Sequence, residues 1–126
     1  MKRWATPLMR YFEIEEFDSP DEPGSGQYMD DRFLEMLYNA RHMAGIPFII
    51  NSGFRTPSAN QDCKGLPNSS HLDGYAADIR CVTSRDRAWM IGALLEAGFT
   101  RIGIGETFIH VDNDPTKPEE VMWHYY

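Results

Sequence analysis

Two histidines and an aspartate, His71, Asp78 and His110, are the residues of this 126-residue chain whose types and order suit metal chemistry. A hydrolytic zinc centre takes three protein ligands of the imidazole and carboxylate kind and leaves a fourth position for water. These three residues meet that count. His71 and Asp78 stand seven positions apart with Gly74 between them, so they are not the helical pair of an HExxH site. The spacing fits one ligand at the end of a loop and a second in the strand that follows, with Gly74 allowing the bend. The residue types alone leave another account open, in which His71 is a surface histidine, Asp78 a strand-end carboxylate and His110 a hydrogen-bonded sheet residue.

Elements that can position these residues are readable from periodicity. Asp30 or Asp31 caps a predicted helix whose apolar positions, Phe33, Leu34, Leu37, Ala40 and Ala44, recur at three- and four-residue steps, and Gly45 ends it. Phe48 to Ile50 reads as a short buried strand stopping at Ser52-Gly53. From Phe54 to Gly74 no apolar period survives, which predicts a long loop of the kind that carries function. Tyr75 to Val82 reads as a strand with Ala76, Asp78 and Arg80 on one face and Ala77, Ile79 and Cys81 on the more apolar other. Thr83 with Asp86 resembles a capping box, followed by a helix through Ala88, Ile91, Leu94 and Leu95 to Gly98. Phe99 to Ile104 and Thr107 to Asp112 flank Gly105-Glu106 as a hairpin, with Phe108, His110 and Asp112 on one face. Val121 to Tyr126 suits an edge strand or a segment packed on the sheet. The pattern predicts an α+β fold with a mainly antiparallel sheet flanked by two or three helices, in a single domain over residues 1–126.

Composition narrows the partners. A net charge of −7 with scattered basic residues argues against nucleic acid, which demands clustered Lys and Arg. The acidic stretches from Glu13 to Glu22 and from Asp112 to Glu120 read as solvated faces or loops. Cys63 and Cys81 lack CxxC spacing, so neither a disulfide framework nor a thiolate metal site is indicated. No apolar run follows Lys2 and Arg3, and none elsewhere is long enough for membrane insertion; the expectation is cytoplasmic synthesis without a signal peptide.

Three motifs in order carry a resemblance. Ser70-His71-Leu72-Asp73-Gly74-Tyr75-Ala76-Ala77-Asp78 resembles the S-x-H-x-x-G-x-A-x-D signature of the M15 family of zinc D-Ala-D-Ala carboxypeptidases and peptidoglycan endopeptidases. Ser52-Gly53-Phe54-Arg55-Thr56-Pro57, with Asn60 beyond it, is similar to the family's S-G-[YF]-R segment, and Phe108 to Asp112 to the segment that supplies the third ligand. Glu16 to Ser19 and the helix end from Arg41 to Gly45 resemble the short, phage-type members. The resemblance implies a zinc fold like that of D,D-peptidases and hedgehog signalling domains, with His71, Asp78 and His110 as ligands of Zn2+. It implies that Arg55 grips a carboxylate or carbonyl oxygen of the substrate, a task suited to a planar fork of donors.

For the general base the sequence departs from the family. Many relatives carry Asp or Glu three positions before the third ligand, where this chain has Thr107. Glu106 at the hairpin tip and Asp112 on the strand face of His110 are the remaining candidates, and Asp112 equally suits orienting a ligand histidine. His124 is a third candidate, as a transition-state stabiliser, while His42 on the first helix has no part in the site. The implied function is hydrolysis of peptidoglycan stem or cross-link peptides, by a phage-encoded or lysis-associated enzyme reaching the wall after lysis or release. The alternatives are a non-catalytic zinc-binding module and a virion or tail component built on the same fold.

Overall fold

The computed structural model describes residues 10–125; Lys2, Arg3, the beginning of the stretch from Trp4 and the terminal Tyr126 lie outside them. Two short 3-10 turns, Ile14–Phe17 and Ser25–Tyr28, precede helix α1, Asp31–Ala44. Strand β1 spans Ile50–Ser52, helix α2 Pro57–Asp62, and a third 3-10 turn Ser70–Asp73 leads into β2, Ala76–Arg80. Helix α3, Ser84–Glu96, is followed by β3, Arg101–Ile104, β4, Phe108–Asp112, and β5, Val121–His124. The five strands form one sheet in the order β1-β2-β4-β3-β5, antiparallel except for the β3–β5 pair. No helix among the described residues is long and apolar enough to cross a membrane.

The predicted alternation decides the two faces of this sheet. Ala77, Ile79, Ile102, Ile109 and Val111 are fully buried beneath the apolar stripes of α1 (Phe33, Leu34, Leu37) and α3 (Met90, Ala93, Leu94). Asp78, His110 and Asp112, one residue out of phase, stand on the opposite face. Both helices start as their caps predict: Asp30 accepts from the Phe33 N–H at 2.9 Å and Thr83 from the Asp86 N–H at 3.1 Å. The α3 stripe keeps Leu94 and the half-buried Ile91 of the predicted positions and differs at the other two. Ala88 and Leu95 face solvent, and Met90 and Ala93 take the buried positions.

Other differences from the sequence reading lie where tertiary packing overrides local pattern. The strand expected at Phe48 to Ile50 begins at Ile50 and is an edge strand: Phe48 turns into the core while Ile49 is 53% exposed. Its register passes from Ile50↔Ile79 to Ser52↔Asp78, so Asn51 is an extra residue, and the bulge re-aims Ser52 beside Asp78. The expected loop from Phe54 to Gly74 contains α2, capped by Thr56 with Pro57 in the first turn, and the Ser70–Asp73 turn. The hairpin pairs Ile104 with Ile109, a longer connection than the two residues Gly105-Glu106. A register change of two leaves every side chain on its predicted face. The acidic stretches also do structural work. Asp18 accepts from the Gly24 and Gly26 N–H groups, Asp21 from the hydroxyls of Ser19 and Thr56, and Asp112 and Asp114 are buried.

Gly74 joins the turn holding His71 to β2. Its φ of +78° lies in the left-handed region, and an added Cβ would collide with the Tyr28 carbonyl oxygen. Gly74→Ala therefore loses at least about 1–2 kcal/mol from the backbone conformation alone. Gly92, in α3, has an ordinary φ and no atom within 4 Å of an added Cβ, so Gly92→Ala gains about 0.5–1 kcal/mol. Urea denaturation of the two variants is expected to move the midpoint in opposite directions.

Candidate metal centre

Each of the three candidate ligands is held by a different local device. His71 sits in the Ser70–Asp73 turn, where the Ser69 hydroxyl accepts from its backbone N–H at 3.2 Å and its carbonyl accepts from the Arg55 N–H at 3.1 Å. Asp78 and His110 are direct cross-strand partners on β2 and β4, and such pairs hold their Cβ atoms about 4.5–5.5 Å apart. The donor atoms of His71, Asp78 and His110 lie within 4.8 Å of one another. Asp78 Oδ1 is 3.3 Å from His71 Nε2 and 3.0 Å from His110 Nδ1.

The far side of each imidazole identifies its proton. His71 Nδ1 is 2.7 Å from the Gly53 carbonyl oxygen, which can only accept, so Nδ1 carries the hydrogen. His110 Nε2 is 2.7 Å from Asp112 Oδ2. Burial pushes the Asp112 carboxyl up, but its bond to His110 and its bond to Arg101 (2.7 Å) outweigh that and hold it below the usual range. Asp112 is therefore ionised, and Nε2 carries the hydrogen. In their neutral forms both histidines then present lone pairs to Asp78 Oδ1, itself an acceptor. Burial pushes Asp78 up as well, yet where the histidines are protonated their hydrogen bonds and charge take it well below an ordinary carboxyl.

Three converging acceptors need positive charge among them. Protonated imidazoles supply it only in part. Burial drives the His71 pKa down, while for His110 burial is overcome by Asp112 and Asp78 and the pKa rises. A divalent cation satisfies all three at once, and two imidazole nitrogens with one carboxylate oxygen form the donor set of a hydrolytic zinc site. The partners on the outer nitrogens, a backbone carbonyl and a carboxylate, are those that fix tautomer and ring orientation in metal sites.

The three residues line an open cleft of about 740 Å³. Arg55 enters it with Nη2 on Asp78 Oδ2 at 3.1 Å, Nε on Ser52 Oγ at 2.9 Å and Nη1 on Asn60 Oδ1 at 3.2 Å. Three of the guanidinium's five N–H donors are thus engaged and two remain. Asn60, 4% exposed, also donates from Nδ2 to the Leu66 carbonyl at 2.8 Å, and its own carbonyl accepts from the Gly65 N–H at 2.7 Å. It binds the cleft wall at residues 65 and 66 to Arg55.

The structure thus brings together His71, Asp78, His110, Arg55 and Asp112. It does not bring Glu106 to them. Glu106 is exposed at the hairpin tip and lines no part of the cleft. Thr107 is exposed as well, its carbonyl accepting from the Cys81 N–H. The carboxylate of Asp112 bonds the outer nitrogen of His110, on the side away from Asp78. His42 is bonded to the Tyr11 hydroxyl at 2.7 Å. His124 is exposed and lines no part of the cleft, whereas its neighbours Trp123 and Tyr125 do. Those two aromatics and Arg101 escaped the sequence reading. The hairpin register pairs Arg101 with Asp112, so alternation along β3 was the available signal for the arginine.

A family model described as peptidase M15 matches residues 11–112, which take in all three candidate ligands, Arg55 and Asp112. The chain belongs to the peptidase M15 family. A comparison with curated proteins finds no match. M15 peptidases are zinc-dependent, and the donor set of this member agrees with that chemistry. Its sheet and helices likewise suit an M15 peptidase fold. The match stops before β5, so Trp123 and Tyr125 lie beyond it.

Zinc titrated into metal-free protein is expected to bind one equivalent and, at a thousandfold excess over Kd, to add about 4 kcal/mol of stability. His71→Ala and His110→Ala abolish that equivalent in calorimetry. Asp112→Asn keeps the equivalent with affinity about 10- to 100-fold lower, because His110 loses its orienting carboxylate.

Proposed function

We propose that this M15 peptidase hydrolyses peptide bonds in peptidoglycan, trimming a terminal residue from stem peptides or cutting stem or cross-link bonds. The observation that carries the reading is the guanidinium of Arg55 beside the His71, Asp78 and His110 cluster in one open cleft. Such an arrangement seats a peptide with its carbonyl or carboxylate on the arginine and its scissile bond over the ligands. The charge of the cleft supports an anionic peptide. Of the chain's twelve basic residues, Arg55, Lys64, Arg101 and Lys117 line it against the two carboxylates of Asp78 and Asp112, a net positive lining in a chain whose net charge is −7. Stem peptides carry free carboxylates that such a cleft attracts.

Zinc, when bound by the three ligands, supplies Lewis-acid polarisation of the scissile carbonyl and activation of a water. The residues around it have separable parts. Arg55 orients the substrate through its two uncommitted N–H donors. Asp112 keeps His110 in the tautomer that ligates, and Arg101 keeps Asp112 ionised. Among the described residues lining the cleft, the carboxylates are Asp78 and Asp112, and both are paired. Glu106, set apart at the hairpin tip, serves as base only if the tip moves.

Mass spectrometry of muropeptides after digestion of purified peptidoglycan tests the proposal. Shortened stems or released cross-links are expected, lost with a chelator and restored by zinc; the mass removed distinguishes carboxypeptidase from endopeptidase. Unchanged muropeptides with zinc-loaded protein overturn the reading in favour of a non-catalytic zinc module. Arg55→Ala is expected to lower kcat/KM about 10- to 100-fold, the worth of a charge-assisted hydrogen bond.

A further inference from the structure

Asp78, His110, Gly103 and Trp123 are successive cross-strand neighbours on β2, β4, β3 and β5. Residues opposite one another in a ladder share a face, so Trp123, and Tyr125 two positions on, stand on the face that carries the candidate ligands. Gly103 is the gap in this row. A Cβ there would come 2.7 Å from Trp123 Nε1 and 2.7 Å from Tyr125 Cε2, so both rings lie over residue 103. Their centroids are 5.6 and 6.4 Å from that of His110.

Tyr125 is well fixed for a residue beyond the last strand. Its N–H donates to the Ile104 carbonyl at 3.0 Å, and its ring packs against Phe108 at 5.3 Å and Trp123 at 6.3 Å. It nevertheless remains 52% exposed and lines the cleft. The Trp123 ring, set between those of His110 and Tyr125 at 5.6 and 6.3 Å, walls the phenol in on this side of the cleft. The phenol carries one O–H that can donate. The charges of Asp78, Asp112 and Arg55 act on this hydroxyl, which sits in the field of the site.

Amide hydrolysis places negative charge on the scissile carbonyl oxygen, and a donor aimed at that oxygen binds the transition state more tightly than the substrate. We propose that Tyr125 is a further catalytic residue, whose O–H donates a hydrogen bond to the scissile carbonyl oxygen as its charge develops, with Trp123 as the positioning residue. The phenol keeps its proton throughout, so no group is transferred to or from Tyr125. The assignment rests on the peptidase reading above.

Tyr125→Phe in zinc-loaded protein tests it, using a muropeptide that the wild type cleaves and an analogue with a phosphinate in place of the scissile amide. The expected result is a kcat lower by about 100- to 1,000-fold, with KM and bound zinc unchanged. Calorimetry is expected to show weaker phosphinate binding, with the affinity for the cleavage product unaltered. Trp123→Ala, which removes the ring packed against Tyr125, gives a smaller fall in kcat of the same kind. Wild-type kcat and phosphinate affinity in Tyr125→Phe overturn the assignment, as does a loss of activity matched by a loss of zinc. A wild type that leaves peptidoglycan intact defeats the functional reading itself, whereas a cleaving wild type with an unaffected Tyr125→Phe rejects Tyr125 alone.

Discussion

Asp78 Oδ1 lies within 3.3 Å of two imidazole nitrogens whose opposite sides are already committed as donors. With both imidazoles neutral, lone pairs facing one another in a partly dry pocket repel, and low dielectric strengthens that repulsion. The surrounding structure sets up this conflict and then leaves a cation to resolve it. The Gly53 carbonyl fixes one tautomer, and Asp112 with Arg101 fixes the other. Arg55 on the second Asp78 oxygen prevents the carboxylate from turning away. An apolar layer behind the sheet, fully buried at Ala77, Ile79, Ile109 and Val111, gives the strands carrying Asp78 and His110 little freedom to relax.

Alternation along β2 and β4 was legible because each strand has one face in the core. Burial of Ala77 and Ile79 commits Asp78 to the other side, whatever the length of the loops. The set of His71, Asp78 and His110 was legible through its resemblance to the M15 signature, since residue types and spacing alone left open a surface histidine, a strand-end carboxylate and a sheet histidine. The bulge at Asn51 was not legible. It depends on how an edge strand meets Asp78, and nothing within Phe48 to Ser52 encodes that. Helix α2 was masked by a loop-like composition, although Thr56-Pro57 was a start signal in plain sight. Trp123 and Tyr125 were invisible as site residues because their relation to His110 runs through a parallel pairing of β5 with β3, a contact between segments with no shared pattern.

The proton inventory separates this chain from relatives with an acid three positions before the third ligand. Thr107 faces solvent, and the carboxylates near the metal position are each held by partners. Charge in the cleft is instead weighted toward donors. Arg55 and Tyr125 present N–H and O–H groups, while Asp78 and Asp112 are neutralised in place. Such a site favours oxygen atoms that gain negative charge over groups that must lose a proton.

Asn60 gives the cleft another property. Its buried amide joins Arg55 to the Leu66 carbonyl, and its backbone oxygen holds Gly65. A wall tethered at these points has lost its conformational entropy at folding, before any peptide arrives. Ordering a free loop on binding would subtract about 1–2 kcal/mol per residue from the affinity. At Gly65 and Leu66, then, part of the ordering that a bound molecule would otherwise have to impose is already complete.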